Sequence, residues 1–459
     1  MTGPRPDAAF SRRSALAALA IGGVSAPALA APAVAAPSPA KPPRPTPGPL
    51  TPIDTGFEPE VPKGLSVDVV PAAYEQVDPN DPDNYGSYSL AARGPGEIDS
   101  IIIHDTEVDY ETTLAIFTNV QHFASIHYVI KEDGHITQMV RTQDVAWHAG
   151  NWTFNGSSIG IELIGVAEDP SHYTDAQYRA TGKLIRYLTD RYDIPRDRDH
   201  ILAHEDLPGV NAARQAAMHW DPGAYYDYEK LLRHAGAEDR NGPLRERDET
   251  VTIAPSYKSN ELGFTSCNPG GGVLAPRSTS AVMVRTEPSD DAPFLEDPAL
   301  AAVGAGGSDS ICDWGAQVSY GQTYAVADRT DGWVGLWIAG TVGWVRTEDE
   351  NGKATVRRGP RDARRITPRR GTVATYGTAY PTPEAFTKAG FDSPARATLP
   401  YELLPGQEYV VEDVTEGAYY WSTRFDGTGG GWVRDSTQWI RIQLSHRSAF
   451  VRAEDVVDV

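Results

Sequence analysis

Cysteine is nearly absent from this chain: Cys267 and Cys312 are the two in 459 residues. That excludes a disulfide-built scaffold. Four methionines leave too little for a soft, promiscuous binding surface. No apolar run reaches the roughly 18–20 residues that a membrane span needs, so an integral membrane protein is excluded too. Positive charge is scarce, with 41 Lys and Arg against 62 Asp and Glu and a formal net charge of −21. An anionic surface repels phosphate backbones, which argues against nucleic acid as a partner. The length exceeds the about 250–300 residues at which one core stops growing, so two or three domains are expected.

The N-terminus carries Arg12-Arg13, then the short apolar stretch Ala15–Val24 and small-residue ends at Ala30 and Ala36. Charge, a brief apolar core and an Ala-x-Ala end are the parts of a secretory signal. Paired arginines ahead of a weakly apolar core suggest the twin-arginine type over residues 1–36. The expected location is therefore secreted, and monomer is the default state. Residues 37–63 are dense in proline and aperiodic, as in an extended linker.

From 64 to 236, strand and helix patterns alternate. Ile98–Ile103 reads as a buried strand ending at His104, and Glu132-Asp133-Gly134 sits between two strand patterns as a hairpin turn. Thr174 with Gln177 opens a helix whose apolar face is Ala180, Leu184, Ile185 and Leu188. This is an α/β pattern. Residues 237–277 are charged and rich in Gly and Pro, and are expected as a linker. A repeat follows. Gly321-Gln322-x-Tyr324-x-Val326-x-Asp328-x-Thr330 recurs as Gly406-Gln407-x-Tyr409-x-Val411-x-Asp413-x-Thr415, at an offset of 85. Trp344-Val345-Arg346 recurs as Phe450-Val451-Arg452 at an offset of 106, so the second copy carries 21 extra residues, expected within Gly427–Arg447. The copies, 278–350 and 370–459 with a linker at 351–369, read as small β-barrel modules. In an exported protein Cys267 and Cys312 are expected to pair, pinning the linker to the first module, with two buried free thiols as the other reading.

The chemistry-bearing residues lie in the first domain. A catalytic zinc wants three ligands from His, Asp, Glu or Cys with one position open, and a carboxylate to take a proton from water. His104 ends an apolar strand, and downstream come Ala203-His204-Glu205-Asp206 and His219-Trp220-Asp221-Pro222-Gly223. Glu162 sits inside the strand Ser158-Ile159-Gly160-Ile161-Glu162-Leu163. Unpaired in a core it would be costly, but strand alternation lets it face a cleft.

These motifs, with Ser125-x-His127-Tyr128 and Ala146-Trp147-His148-Ala149-Gly150 between them, together resemble the zinc N-acetylmuramoyl-L-alanine amidases of the type-2 class. That class shares its fold with phage T7 lysozyme and the peptidoglycan recognition proteins. The resemblance spans about residues 65–235. It implies a mixed central sheet flanked by helices, and peptidoglycan as the partner. It implies His104, His204 and Asp221 as zinc ligands, and Glu162 as catalytic acid/base. His219 stands where many members carry a lysine that stabilises the oxyanion, and it could itself bind metal. His127, Trp147 and His148 fall at family positions lining a substrate groove, and structural packing is the other reading for the tryptophan. The repeats resemble a pair of bacterial SH3-like modules, which often attach wall-lytic enzymes to the cell wall. The alternative function is a non-catalytic peptidoglycan-recognition protein.

Overall fold

The β-branched run Ile101–Ile103 builds the middle of a sheet. The computed structural model describes residues 57–237 and 241–459, so the expected signal segment 1–36 and most of the linker 37–63 lie outside the described residues. In the first domain β1 (Val67–Val69), β2 (Ser100–Asp105), β3 (Tyr128–Ile130), β4 (Ile136–Gln138), β5 (Ser158–Leu163) and β6 (Ile201–Ala203) form one mixed sheet. Its order is β1-β4-β3-β5-β2-β6. Only the β3–β4 hairpin is antiparallel. Helices α1 (Tyr110–Phe117), α2 (Trp152–Ser157), α3 (Asp175–Tyr192) and α4 (Tyr228–Ala235) surround it. Thr174 caps α3 by accepting from the Gln177 N–H, which satisfies one of the orphan donors of the first turn. No helix among the described residues is long and apolar enough to cross a membrane.

Strand alternation divides the sheet's residues between two faces. Ile101, Ile103, Ile159 and Ile161 pack under Leu184, Ile185 and Leu188 of α3. The opposite face carries Ile102 and Leu202, and it is covered by Trp439 and Phe450 from the far end of the chain. Each such burial contributes roughly 1.5–3 kcal/mol.

The C-terminal half departs from the expected boundaries. The stretch 237–277 contains a buried strand, β7 (Thr250–Ile253), because Val251 and Ile253 carry the apolar alternation of a half-buried strand among otherwise polar residues. β7 belongs to a five-stranded sheet with β8 (Thr323–Thr330), β9 (Trp333–Ile338), β10 (Thr341–Arg346) and β11 (Val356–Arg358), in the order β10-β9-β8-β7-β11. The expected linker 351–369 likewise supplies β11 and β12 (Arg365–Pro368). β12 joins β13 (Val373–Tyr376), β14 (Thr398–Leu403), β15 (Tyr409–Trp421), β16 (Gly431–Gln443), β17 (Ser448–Arg452) and β18 (Val456–Asp458) in a seven-stranded sheet. Cys267 and Cys312 are bonded, with Cα atoms 5.9 Å apart. The bonded segment is also tied to the first domain, since Glu168 accepts from the Cys267 N–H at 2.7 Å and from the Ser266 hydroxyl at 2.7 Å.

The two β units share one core, which runs from Val251 to Val456 without a break between them. They also grip each other reciprocally. Gln322 of the first unit donates to the His446 carbonyl at 2.7 Å, and Tyr324 donates to the Ser445 carbonyl at 2.8 Å. At the equivalent positions of the second unit, Gln407 donates to the Gly340 carbonyl at 2.6 Å, and the Tyr409 hydroxyl accepts from the Gly340 N–H at 3.2 Å. The repeated Gly-Gln-x-Tyr motif therefore holds the strand-linking turn of the other copy.

The extra residues of the second copy occupy 416–438, earlier than expected. Trp439 to Ile442 match Trp333 to Leu336 at the same offset of 106, so the insertion precedes Trp439. It lengthens β15 and β16 to 13 residues each, against eight and six for β8 and β9. Its tip lays Tyr419, Tyr420, Trp421 and Phe425 against Tyr74, Tyr85, Tyr88 and Trp152 of the first domain.

Candidate metal centre

Three adjacent parallel strands place the central residues. His104 on β2 is in register with Glu162 on β5. Ile103 is in register with Ala203, so His204 leaves β6 beside His104. Side chains at one register level project to one face, and the carboxyl ends of parallel strands are where such sheets bind ligands. Asp221 arrives from the loop before α4, and its carbonyl accepts from the Glu205 N–H at 3.0 Å.

The donor atoms converge. His104 Nδ1 and His204 Nδ1 are 3.0 Å apart. Asp221 Oδ1 lies 3.0 Å from His204 Nδ1, and Oδ2 lies 3.4 Å from His104 Nδ1. Four ligands at 2.0–2.1 Å around a tetrahedral zinc stand roughly 3.3 Å from one another, so the spacing suits that ion. His104, His204 and Asp221 form the one cluster among the described residues whose ligand atoms all lie within 4.8 Å. Asp221 Oδ1 is buried with no hydrogen-bond partner, an orphan that a cation would satisfy. Burial pushes His204 down to about 4, against the opposing pull of Asp221, so its ring is neutral at pH 7 and keeps a lone pair. Burial alone would raise Asp221, but the histidines around it, His204 first, hold it well below the usual carboxylate range. Two imidazoles and a carboxylate are a donor set for zinc.

A chain of hydrogen bonds supports the lone pair of His104. The Ser158 hydroxyl donates to the Phe154 carbonyl at 2.6 Å. It can therefore accept from His148 Nε2, 3.3 Å away, which leaves His148 Nδ1 to accept from His104 Nε2 at 2.9 Å. His104 Nδ1 is then the bare nitrogen facing the cluster. Gly160 makes room for this: a Cβ there would stand 2.7 Å from His148 Nδ1 and 2.5 Å from Ile126 Cδ1. His148 is thus a support behind His104, and its two ring nitrogens are engaged within the protein.

His127 and Trp147 do not line a groove. His127 is 0% exposed, accepts from the Gly160 N–H at 3.0 Å and bonds the Asp144 carbonyl at 3.1 Å. Burial, then the neighbouring Arg93, pushes it down to about 3. Trp147 is 7% exposed, and its indole N–H donates to Ser89 at 3.1 Å. Both are packed inside the domain: Arg93 and the Asp144 carbonyl enclose His127, and Trp147 lies in the cluster that insertion 416–438 forms with the Tyr74–Tyr88 segment.

Glu162 is 8% exposed. Burial raises its carboxyl well above the usual range, and Asp221 and Asp105 add to this. His219 stands at the rim, with its side chain 42% exposed and its Nδ1 3.6 Å from Asp221 Oδ1. Its ring stacks on His204 with centroids 5.0 Å apart, outside the three-donor cluster.

Sequence reasoning missed three residues from the β units. Arg447, His446 and Gln322 all reach the loop that begins at His204. Gln322 belongs to the repeated motif, which was the available signal; nothing local marks the other two.

Comparison with known proteins places this domain. The N-acetylmuramoyl-L-alanine amidase family profile matches residues 94–224. N-acetylmuramoyl-L-alanine amidase A of Achromobacter lyticus is 30% identical over 175 residues, which are 34% of this chain and 93% of that protein. The 1,6-anhydro-N-acetylmuramyl-L-alanine amidase AmpD of Haemophilus influenzae is 38% identical over 115 residues, 24% of this chain. The match spans 56% of that relative's length. The solved complex of AmiD from Escherichia coli with anhydro-N-acetylmuramic acid-L-Ala-D-gamma-Glu-L-Lys is 26% identical, with a TM-score of 0.27, covering 34% of this chain and 64% of that one. The chain belongs to the N-acetylmuramoyl-L-alanine amidase family.

Proposed function

We propose that the chain hydrolyses the amide between N-acetylmuramic acid and the L-alanine that begins the stem peptide of peptidoglycan. The observation that carries this reading is the convergence of His104, His204 and Asp221 beside the buried carboxyl of Glu162. These three side chains would hold zinc, which when bound supplies Lewis acidity to the scissile carbonyl and makes water a competent nucleophile near neutral pH. Glu162 takes the proton of the attacking water and hands it to the departing amine. Its raised proton affinity suits a group that must both accept and release. His219, at the rim, donates to the carbonyl oxygen as that atom gains negative charge, a task its ring performs best when protonated. The glycan strand keeps a lactyl carboxylate and the peptide leaves with a free amino terminus.

The same reading makes the protein secreted and cell-wall associated, with residues 1–36 as a twin-arginine signal, acting as a monomer. It gives the two β units an SH3-like character with wall polymer as their ligand. Fusion of residues 1–36 to a reporter tests export, which should fail when Arg12 and Arg13 become Lys.

Zinc content and stem-peptide release, measured together, test the reaction. Glu162→Gln should keep stoichiometric zinc and lose turnover, whereas Asp221→Asn should lose zinc affinity, since an amide is the poorer ligand. Equal loss of zinc in both would overturn the roles. Stoichiometric zinc in the unmodified protein without any release of L-alanine amino termini would favour wall recognition over hydrolysis.

A further inference from the structure

In the first β unit the turn after β9 reads Ala339-Gly340-Thr341; at the same place in the second unit stands Ser445-His446-Arg447. The second turn is driven into the first domain. Arg447 is 0% exposed. Its two terminal nitrogens donate to four carbonyls: Leu207 at 2.8 Å, His204 at 3.5 Å, His219 at 2.8 Å and Met218 at 3.3 Å. The guanidinium also lies 4.4 Å from the centre of the Trp314 ring. His446 presents Nε2 to Glu205 Oε2 at 3.3 Å while its Nδ1 donates to the Gln317 carbonyl at 3.1 Å. Gln322, which holds the turn from the other unit, also donates to Asp206 Oδ1 at 3.0 Å. Residues 204 and 206 are thus each hydrogen-bonded by a residue of the C-terminal half, and Glu205 between them faces His446.

A buried cation is costly unless polar groups replace its lost water. Arg447 finds no carboxylate within ion-pair distance among the described residues, and it meets the carbonyls of the two loops that carry His204 and Asp221. The guanidinium fork is rigid, so it fixes those carbonyls relative to one another. Through them it fixes the spacing of two of the three converging donors.

We propose that the Ser445–Arg447 turn is a built-in clamp on the metal centre, with Arg447 as its positioning residue. The inference rests on the zinc reading given above. It gives the second β unit a task in assembling the site that is separate from any attachment to the wall. The turn of the first unit does not share this task.

The test uses the full chain and compares equivalent positions. Arg447→Met and Gln322→Met should each weaken zinc binding, read by competition with a chromophoric chelator, by on the order of tenfold to a hundredfold, the range for residues that support metal ligands. In both, kcat on soluble muropeptide should fall while KM stays. Gln407→Met removes the equivalent grip on the Gly340 turn; it should lower the melting temperature and leave zinc affinity and kcat as they were. Should Arg447→Met fail to fold, Gln322→Met, which leaves the guanidinium in place, decides the matter against Gln407→Met. Zinc affinity unchanged in the folded clamp variants, or weakened equally by Gln407→Met, would overturn the clamp. A native protein that binds no zinc would instead overturn the function on which it rests.

Discussion

The two β units have one framework and different contacts. Both carry the Gly-Gln-x-Tyr grip, both contribute to a single core, and both place a turn in the hands of the other. The first unit uses small residues where the second uses large or charged ones. Ala327 and Gly335 of the first match Glu412 and Arg441 of the second, and these two form a buried ion pair at 3.0 Å beside Asp199 of the first domain. The short connection between β8 and β9 matches the 416–438 insertion. A symmetric pair of units can thus meet an asymmetric partner by changing one turn, one ion pair and one hairpin tip while the shared framework stays as it is.

Shortening the tip should have the largest effect. Replacing 416–438 with the two-residue connection Asp331-Gly332 would uncover Tyr74, Tyr85, Tyr88 and Trp152. At roughly 1.5–3 kcal/mol per large side chain, the loss approaches the whole stability of an ordinary domain. The expected outcome is aggregation on size exclusion; a monodisperse, folded variant would show that the tip is dispensable.

Breaking the ion pair ranks next. Arg441→Met leaves Glu412 buried without its partner and should cost about 3–5 kcal/mol in urea unfolding, whereas Glu412→Ala with Arg441→Met together should cost less. A double variant worse than the single would mean that the pair is held for another reason.

The same seam gives a pH dependence. Burial, then Glu412 and Asp197, pushes Asp199 up to about 7, with Arg441 and His200 opposing. Its ordinary value is 3.8, so the unfolded chain ionises first and this group draws stability down as pH rises from about 4 to about 7. Asp199→Asn removes that loss. Its stabilisation over the native protein should grow across this interval and level off above it; a pH-independent difference would contradict the assignment.

The smallest effect separates the two glycines that open the grip. Gly321 and Gly406 both have φ of +89°, where a side chain costs about 1–2 kcal/mol. A Cβ at Gly406 meets nothing within 4 Å, while one at Gly321 would stand 2.8 Å from Cγ of Arg198, the buried partner of Asp206. Gly321→Ala should therefore lower the melting temperature more than Gly406→Ala. Equal shifts would mean that Arg198 moves aside freely.

Local signals in the sequence anticipated local structure. The Thr174 cap, the hairpin around Asp133 and the strand bearing Glu162 all stand where periodicity and turn chemistry put them. The approach of His104, His204 and Asp221 came from motif resemblance, and the parallel register of β2, β5 and β6 gives it a physical basis. Which face of a strand another domain would cover was not legible. Trp147 sits in a suitable motif, yet the segments that cover it lie far away in sequence, and His127 is enclosed by Arg93 and Asp144 of its own domain. The boundary at 250 was missed because β7 is four residues long and pairs with strands about 70 and 105 positions ahead. The insertion was misplaced because the Trp344 match fixes its length and leaves its start open.

The reciprocal grip has a consequence for inheritance. Each glutamine finds its carbonyl only on the other repeat, so neither repeat can be traded for an unrelated cassette without stranding polar groups and splitting a common interior. Modules that are exchanged freely need joints that come apart cleanly, and this chain has sealed that joint. Its two C-terminal repeats must be gained, kept or lost together.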